Sequence, residues 1–272
     1  MLLLLMVLNI SILILYLYWP YIFHTLFSTN KTRLYSSLPF MIEYFVDQKK
    51  YLYLILLHAS AAFIIGGITL LATGTMLIVY LQYVCGMFQI ASYRMMRAMM
   101  KLEIQQKKNL QNENLIYKEI ICAIDMHRKA MKFSDSSIYR FEVMFFFLIV
   151  VGVICGSLNF FRVYQVISYE YDIMKLSLPI VFIIIQFMYM IMGCYFAQEV
   201  MDHNNDVFVT VYGIQWYIAP LQIQKVILFL LQRNTKAFHI KIAGMFVASL
   251  EGAATLLNIA MSYFTVLYST RQ

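Results

Sequence analysis

The sequence predicts an all-α integral membrane protein with five transmembrane helices and long cytoplasmic helical extensions. Three observations predict it. Hydrophobic residues fill 62% of the 272 positions and charged residues only 13%, against roughly 45–50% and 25% in soluble domains, and the mean hydropathy is +0.71. Uncharged runs of about 20 residues, enough to cross a hydrocarbon layer, recur along the chain. Between two of them lies a polar stretch free of proline and glycine and rich in strong helix formers.

The first crossing is expected at 1–27. Its opening, "MLLLLMVLNISILILYLYWPYIF", lacks a basic leader and a small-residue cleavage site, so it reads as a retained helix and not as a signal peptide. The second is expected at 51–86. Beyond it, "MFQIASYRMMRAMMKLEIQQKKNLQNENLIYKEIICAIDMHRKAMKF" carries apolar residues at Met96, Met99 and Leu102 and again at Leu115, Ile120 and Ile124. That pattern predicts two helical extensions over 87–138, joined near 109–114. Ser134, Asp135 and Ser136 offer an N-cap for the third crossing, 143–161. This crossing holds Gly152 and Gly156 at the spacing that lets two helix backbones approach closely, although small pairs also recur by chance. The fourth is expected at 176–198. The run 216–231 contains Pro220 and Lys225 and leaves only 11 residues from Leu221 to Leu231, too short to span, so it reads as a buried or interfacial helix. The fifth crossing, 242–268, carries Glu251 inside it.

With five crossings the loops alternate sides. One side collects fourteen Lys and Arg, ten of them in 87–142, and the other seven, which places the basic side in the cytoplasm and the C-terminus outside. The net charge of +7 follows from this topology and from contact with anionic lipid, and does not call for nucleic acid. The sequon at Asn30 falls in an outward loop and is the candidate glycosylation site; the one at Asn9 lies within a crossing. The four cysteines, Cys85, Cys122, Cys155 and Cys194, form no CxxC pair, so neither a disulfide framework nor a zinc site is expected. No motif calls for a cofactor or for enzymatic chemistry.

Three constellations compete for a function. In the last crossing Glu251, Thr255, Asn258, Ser262, Thr265 and Ser269 follow one another at alternating spacings of four and three, so all six share one helix face. Such a face lines water or serves as interhelical hydrogen-bonding glue. Glu199, Asp202, His203 and Asp206 cluster at the end of the fourth crossing. They lack the Glu-x-x-His spacing of a di-iron site, and a charged helix end beside Arg233 and Lys236 accounts for them better; no metal is expected. Finally, aromatic and methionine residues crowd the outer halves of the first, second and fourth crossings. They read either as an apolar cavity for a small hydrophobic ligand or as ordinary packing and an interfacial belt.

Several stretches together resemble the insect odorant receptors, above all the large receptor sets of ants, bees and wasps: "EYFVDQKKYLYLILLH", "TGTMLIVYLQYVCGMFQIASYR", "QEVMDHNNDVF", "YGIQWYIAPLQIQKVILFLLQR" and "ASLEGAATLLNIAMSYFTVLYSTRQ". The resemblance covers nearly the whole chain, and the last two stretches are the more specific. It implies a seven-helix fold with the N-terminus inside and the C-terminus outside. Five of those seven helices are present, since the chain begins where the third is expected, leaving the ligand cavity incomplete and implying a receptor fragment. It also implies a tetrameric cation channel opened by a volatile hydrophobic odorant, formed with the common co-receptor in the plasma membrane of sensory neurons.

On that basis residues 1–200 are the transmembrane ligand-binding helices with their cytoplasmic extensions. Residues 201–241 form a cytoplasmic anchor segment, with Trp216, Tyr217, Pro220 and Leu221 at the subunit interface. Residues 242–272 hold the pore-lining helix and the extracellular C-terminus. Thr255, Asn258, Ser262, Thr265, Val266, Ser269 and Thr270 would line the pore, with Val266, Ser269 and Thr270 at its outer constriction. Tyr16, Trp19, Phe63, Phe182 and Tyr189 are the expected odorant contacts. The competing expectations are a non-channel, metabotropic type of chemoreceptor and a truncated, non-functional or dominant-negative fragment.

Overall fold

The structure, a computed structural model, describes residues 11, 51–107, 113–170, 173–233 and 238–270. In chain order its elements are α1 (Leu52–Lys107), α2 (Glu113–Gln165) closed by a π-helical turn (Val166–Glu170), α3 (Ile173–Gly213), a 3-10 turn (Trp216–Ile218), α4 (Leu221–Arg233), strands β1 (Lys241–Ile242) and β2 (Phe246–Val247), and α5 (Leu250–Ser269). Among the described residues, four helices are long and apolar enough to cross a membrane: α1, α2, α3 and α5. The expected first crossing, 1–27, lies outside the described residues, as do Tyr16, Trp19 and Asn30.

The chain divides into two compact units, one of which contains residues 1–76. That unit includes Ile173–Lys175 and the first half of α1, where Ile55, Leu56 and Ser60 are buried and Phe63 is half-buried. Threonine hydroxyls along it donate to carbonyls one turn back, Thr69 to Ile65 O at 2.8 Å and Thr75 to Leu71 O at 2.8 Å, which satisfies them within a helix that crosses lipid.

The second unit is built on the polar ends of α1, α2 and α3, a region called here the stem. At 53 residues α2 is about 80 Å long, which exceeds the ~30 Å hydrocarbon core by far, so its first half projects from the membrane. Water surrounds that half, and its packing follows. Buried positions on α1 are Val84, Phe88, Ala91, Met95, Ala98 and Leu102; on α2 Ile116, Ile120, Ala123, His127, Ala130, Ser134 and Ser137; on α3 Ala197, Val200, Asn204, Val207 and Val211. In all three helices these positions alternate at spacings of three and four, the period of knobs-into-holes packing between helices at shallow crossing angles.

The stem's core is mainly apolar, and its buried polar side chains among the described residues are His127, Ser134, Ser137 and Asn204. His127, as its Nε2–H tautomer, donates to Asn204 Oδ1 at 3.0 Å, and the Phe88 and Phe208 rings each lie 5.3 Å from the imidazole. On the wet side Lys101 bridges α1 to α2 through Glu119 at 2.6 Å, and Asp125 takes Arg128 at 2.7 Å and Lys129 at 2.8 Å. Exposed pairs of this kind add only a few tenths of a kcal/mol each.

Two expectations are corrected here. No helix begins at Ser134–Ser136: α2 runs through them, because Ser134 falls on the buried three-four stripe, where packing outweighs its capping preference. The last crossing begins at Leu250, not at 242. Residues 241–247 form a two-stranded hairpin in which Lys241 pairs with Val247 and Ile242 with Phe246. Ala243 (φ 52°) and Gly244 (φ 65°) turn it through left-handed conformations. Ser249 then caps α5, its hydroxyl accepting from Gly252 N at 3.0 Å. Gly252 has to be glycine: a methyl there would run into the Val247 carbonyl oxygen and lie 3.0 Å from the Phe246 ring. The break expected near 109–114 is observed, with α1 ending at Lys107 and α2 starting at Glu113. The short run after Pro220 forms α4, whose buried face is Ile223, Ile227 and Leu230. It lies against the stem core and is not among the span-length helices.

Candidate functional site

The candidate site is α5 together with the helices that hold it. One side of α5 is dry: Ala253, Leu256 and Ala260 are buried, and farther along Phe264 packs on α2, 6.4 Å from Phe160 and 6.4 Å from Tyr164. Tyr268 ends this side, its ring 4.9 Å from that of Tyr164 and edge-on to it. α5 packs along α2.

The opposite side carries the polar stripe. Glu251, Thr255, Asn258, Ser262, Thr265, Val266, Ser269 and Thr270 are all exposed. Their hydroxyl protons have partners within the helix. Thr255 donates to Glu251 O at 3.0 Å, Ser262 to Asn258 O at 2.9 Å, Thr265 to Ser262 O at 2.7 Å, Ser269 to Val266 O at 2.9 Å and Thr270 to Leu267 O at 3.1 Å. With each proton turned inward, the hydroxyl oxygens present lone pairs outward, so the stripe accepts hydrogen bonds or cations and donates little. Asn258 is the exception. Its amide stands mid-helix, exposed, with no hydrogen-bond partner among the described residues. An amide left bare in hydrocarbon costs several kcal/mol, so this surface requires water or another polar chain. Glu251, in the first turn of α5, lies where the helix dipole favours a negative charge.

The other expected site residues fall in different places. Phe63 belongs to the unit that contains residues 1–76. Phe182 and Tyr189 are half-buried on α3. Of the expected interface residues, Tyr217 and Leu221 are 63% and 65% exposed, and Trp216 and Pro220 half-buried, Trp216 packing on the stem core. Gln224 fastens this corner, its Nε2 donating to Tyr217 O at 2.7 Å and Ala219 O at 2.8 Å.

The acidic cluster has other neighbours than expected. Gln82 of α1 donates to Glu199 at 2.9 Å, Gln89 meets His203 Nε2 at 3.3 Å, and Gln198 donates to Asp202 at 2.9 Å. Among the described residues Arg233 makes no ion pair with it, and Lys236 lies outside them. Among the described residues no three His, Cys, Asp or Glu side chains are arranged to hold a metal. All four cysteines are free thiols.

Sequence reasoning missed Gln186, Phe160, Tyr164 and Tyr268. Gln186 Nε2 donates to the Gly152 carbonyl of α2, so the glycine pair receives the Gln186 side chain and, at Gly156, the Ala260 methyl as well. The signal was present: one amide inside the apolar run "IIIQFMYMIM" needs a partner in lipid.

Span-length helices, a packed stem and a last described helix with a polar outer face define a multi-pass membrane protein. Residues 1–261 match the model of the 7tm Odorant receptor family, and the chain belongs to that family. The fold is similar to the structure of the insect olfactory receptor OR5 from Machilis hrabei in complex with eugenol, with a TM-score of 0.73 at 13% identity. It is also similar to the structure of the insect olfactory receptor OR5 from Machilis hrabei, with a TM-score of 0.68 at 13% identity. Each match covers 97% of this chain and 64% of the receptor chain; the chain thus spans under two thirds of that receptor's length. No curated protein matches it.

Proposed function

We propose that this chain is the ligand-tuning subunit of an odorant-gated cation channel that works with a common co-receptor in the plasma membrane of sensory neurons. One observation carries the reading: α5 exposes a row of acceptor oxygens and, mid-span, an Asn258 amide that has no partner among the described residues. A water-filled conduit shared among subunits satisfies both. Outward lone pairs favour cations, and Glu251 adds negative charge at one mouth. Val266, 57% exposed near the other end, closes the conduit by dewetting, with Ser269 and Thr270 beside it. The stem and the exposed Tyr217 and Leu221 lie on the cytoplasmic side and meet neighbouring subunits; the C-terminus is outside.

The ligand is a small volatile molecule with a largely apolar surface, in keeping with eugenol bound to the relative. Phe182 and Tyr189 on α3 supply apolar contact. An odorant opens the channel to the extent that it binds the open arrangement more tightly than the closed one.

Patch recording tests this. Cells that express the chain with a co-receptor should give odorant-evoked cation current in excised patches without nucleotide, beyond that of co-receptor alone. A response that requires nucleotide exchange and carries no current in the patch contradicts it.

A further inference from the structure

An amide within a lipid-embedded helix is costly unless bonded, and Gln186 is bonded across helices. Its Nε2 reaches the Gly152 carbonyl because α2 lacks side chains at two levels. A methyl at Gly152 would lie 3.4 Å from that nitrogen and one at Gly156 3.3 Å from it. The same Gly156 is where α5 comes close, a methyl there lying 3.7 Å from Ala260 Cβ. A single notch on α2 thus receives α3 through Gln186 and α5 through Ala260. One turn farther along, Phe160 repeats the arrangement with rings, 6.2 Å from Phe187 of α3 and 6.4 Å from Phe264 of α5.

We infer that Gln186 and Phe160 are positioning residues through which α3 sets the place of α5, and so of its polar stripe. The inference rests on the channel reading above. Phe182 and Tyr189, the proposed odorant contacts, stand four residues before and three after Gln186 and share its helix face. Ala260 lies about 200° around α5 from both Asn258 and Ser262, directly behind the stripe. Close-packed side chains do not compress, so a shift of α3 at the notch is passed to Ala260 and moves that level of the stripe. Interhelical bonds of this type hold one arrangement or another, which suits a gate with two states.

A reversible cross-link tests it. Cβ atoms about 3.8 Å apart suit a disulfide, so a Gly156→Cys/Ala260→Cys pair should oxidise, and recordings would be made from the chain co-expressed with a co-receptor. Oxidation is expected to shift the half-maximal odorant concentration, or to cut the current, at least fivefold. A reductant should restore it, and neither single variant should respond. A cross-link shown by mass spectrometry with an unchanged odorant response overturns the inference, as does failure to cross-link. If the reduced pair is silent while the unsubstituted chain conducts, Gln186→Met decides: it keeps the volume and loses the donor. A fivefold shift at equal surface density supports the role, and a response within twofold of the unsubstituted chain overturns it. Absence of any odorant current from the unsubstituted chain removes the channel reading itself, and this proposal with it.

Discussion

The stem and the membrane-embedded half of the same helices are packed by different rules. In the stem, α1, α2 and α3 bury large residues in a continuous three-four stripe, Phe88, Met95, Leu102, Ile116 and Ile120 among them, each at most 2% exposed. In the spans at most 17% of the most apolar window is buried; Phe147 is 60% exposed and Ile184 55%. Water accounts for the first and lipid for the second. An apolar side chain facing acyl chains has nothing to escape, so helices there associate through close fit and hydrogen bonds. That is what Gly156, Ala260 and Gln186 provide. The contrast implies that the stem holds the subunit together while the spans keep the freedom to shift.

The largest effect should come from emptying the stem. Phe88→Ala removes a fully buried ring beside His127 and Phe238 and should cost about 3–5 kcal/mol. Phe147→Ala in the span should cost under about 0.5 kcal/mol, as an exposed substitution does. Thermal unfolding of the purified chain in detergent checks both, and equal losses would erase the distinction between the regions. Next in size, Asn204→Leu strands the buried His127 N–H and should cost about 1–3 kcal/mol. Gly252→Ala should cost about 1–3 kcal/mol by forcing the β2 carbonyl away from α5, and should appear as reduced proteolytic protection of the hairpin. The smallest effect has the opposite sign. Ala243→Gly relieves a left-handed alanine and should stabilise the hairpin by about 0.5–1 kcal/mol.

What was legible in the sequence divides along the same boundary. Span-length runs announce α1, α2, α3 and α5, and the polar gap near 109–114 marks the turn between the stem helices, because hydrophobicity and helix propensity act locally. The apolar spacing of Met99, Leu102 and Ile120 reveals a stem face. Ser134 misled because its capping preference is local while its burial is a tertiary fact. The hairpin was hidden in a continuous apolar run, although Gly244 between Ile242 and Phe246 and Ser249 ahead of Leu250 were signs of a turn and a cap. The polar stripe of α5 was readable from spacing alone, since 3.6 residues per turn fix which residues share a face. Its inward-turned hydroxyl protons, and the bond from Gln186 to Gly152, depend on geometry that spacing does not carry.

The central claim is that the hydroxyl and amide side of α5 borders water. Cysteine accessibility tests it most directly, using Asn258→Cys and Ser262→Cys on the stripe and Leu256→Cys on the dry side, each expressed with a co-receptor. The account predicts that a charged, membrane-impermeant thiol reagent blocks current through the first two during odorant application and leaves the third untouched. Current that flows unblocked through Asn258→Cys and Ser262→Cys under the same reagent would contradict it.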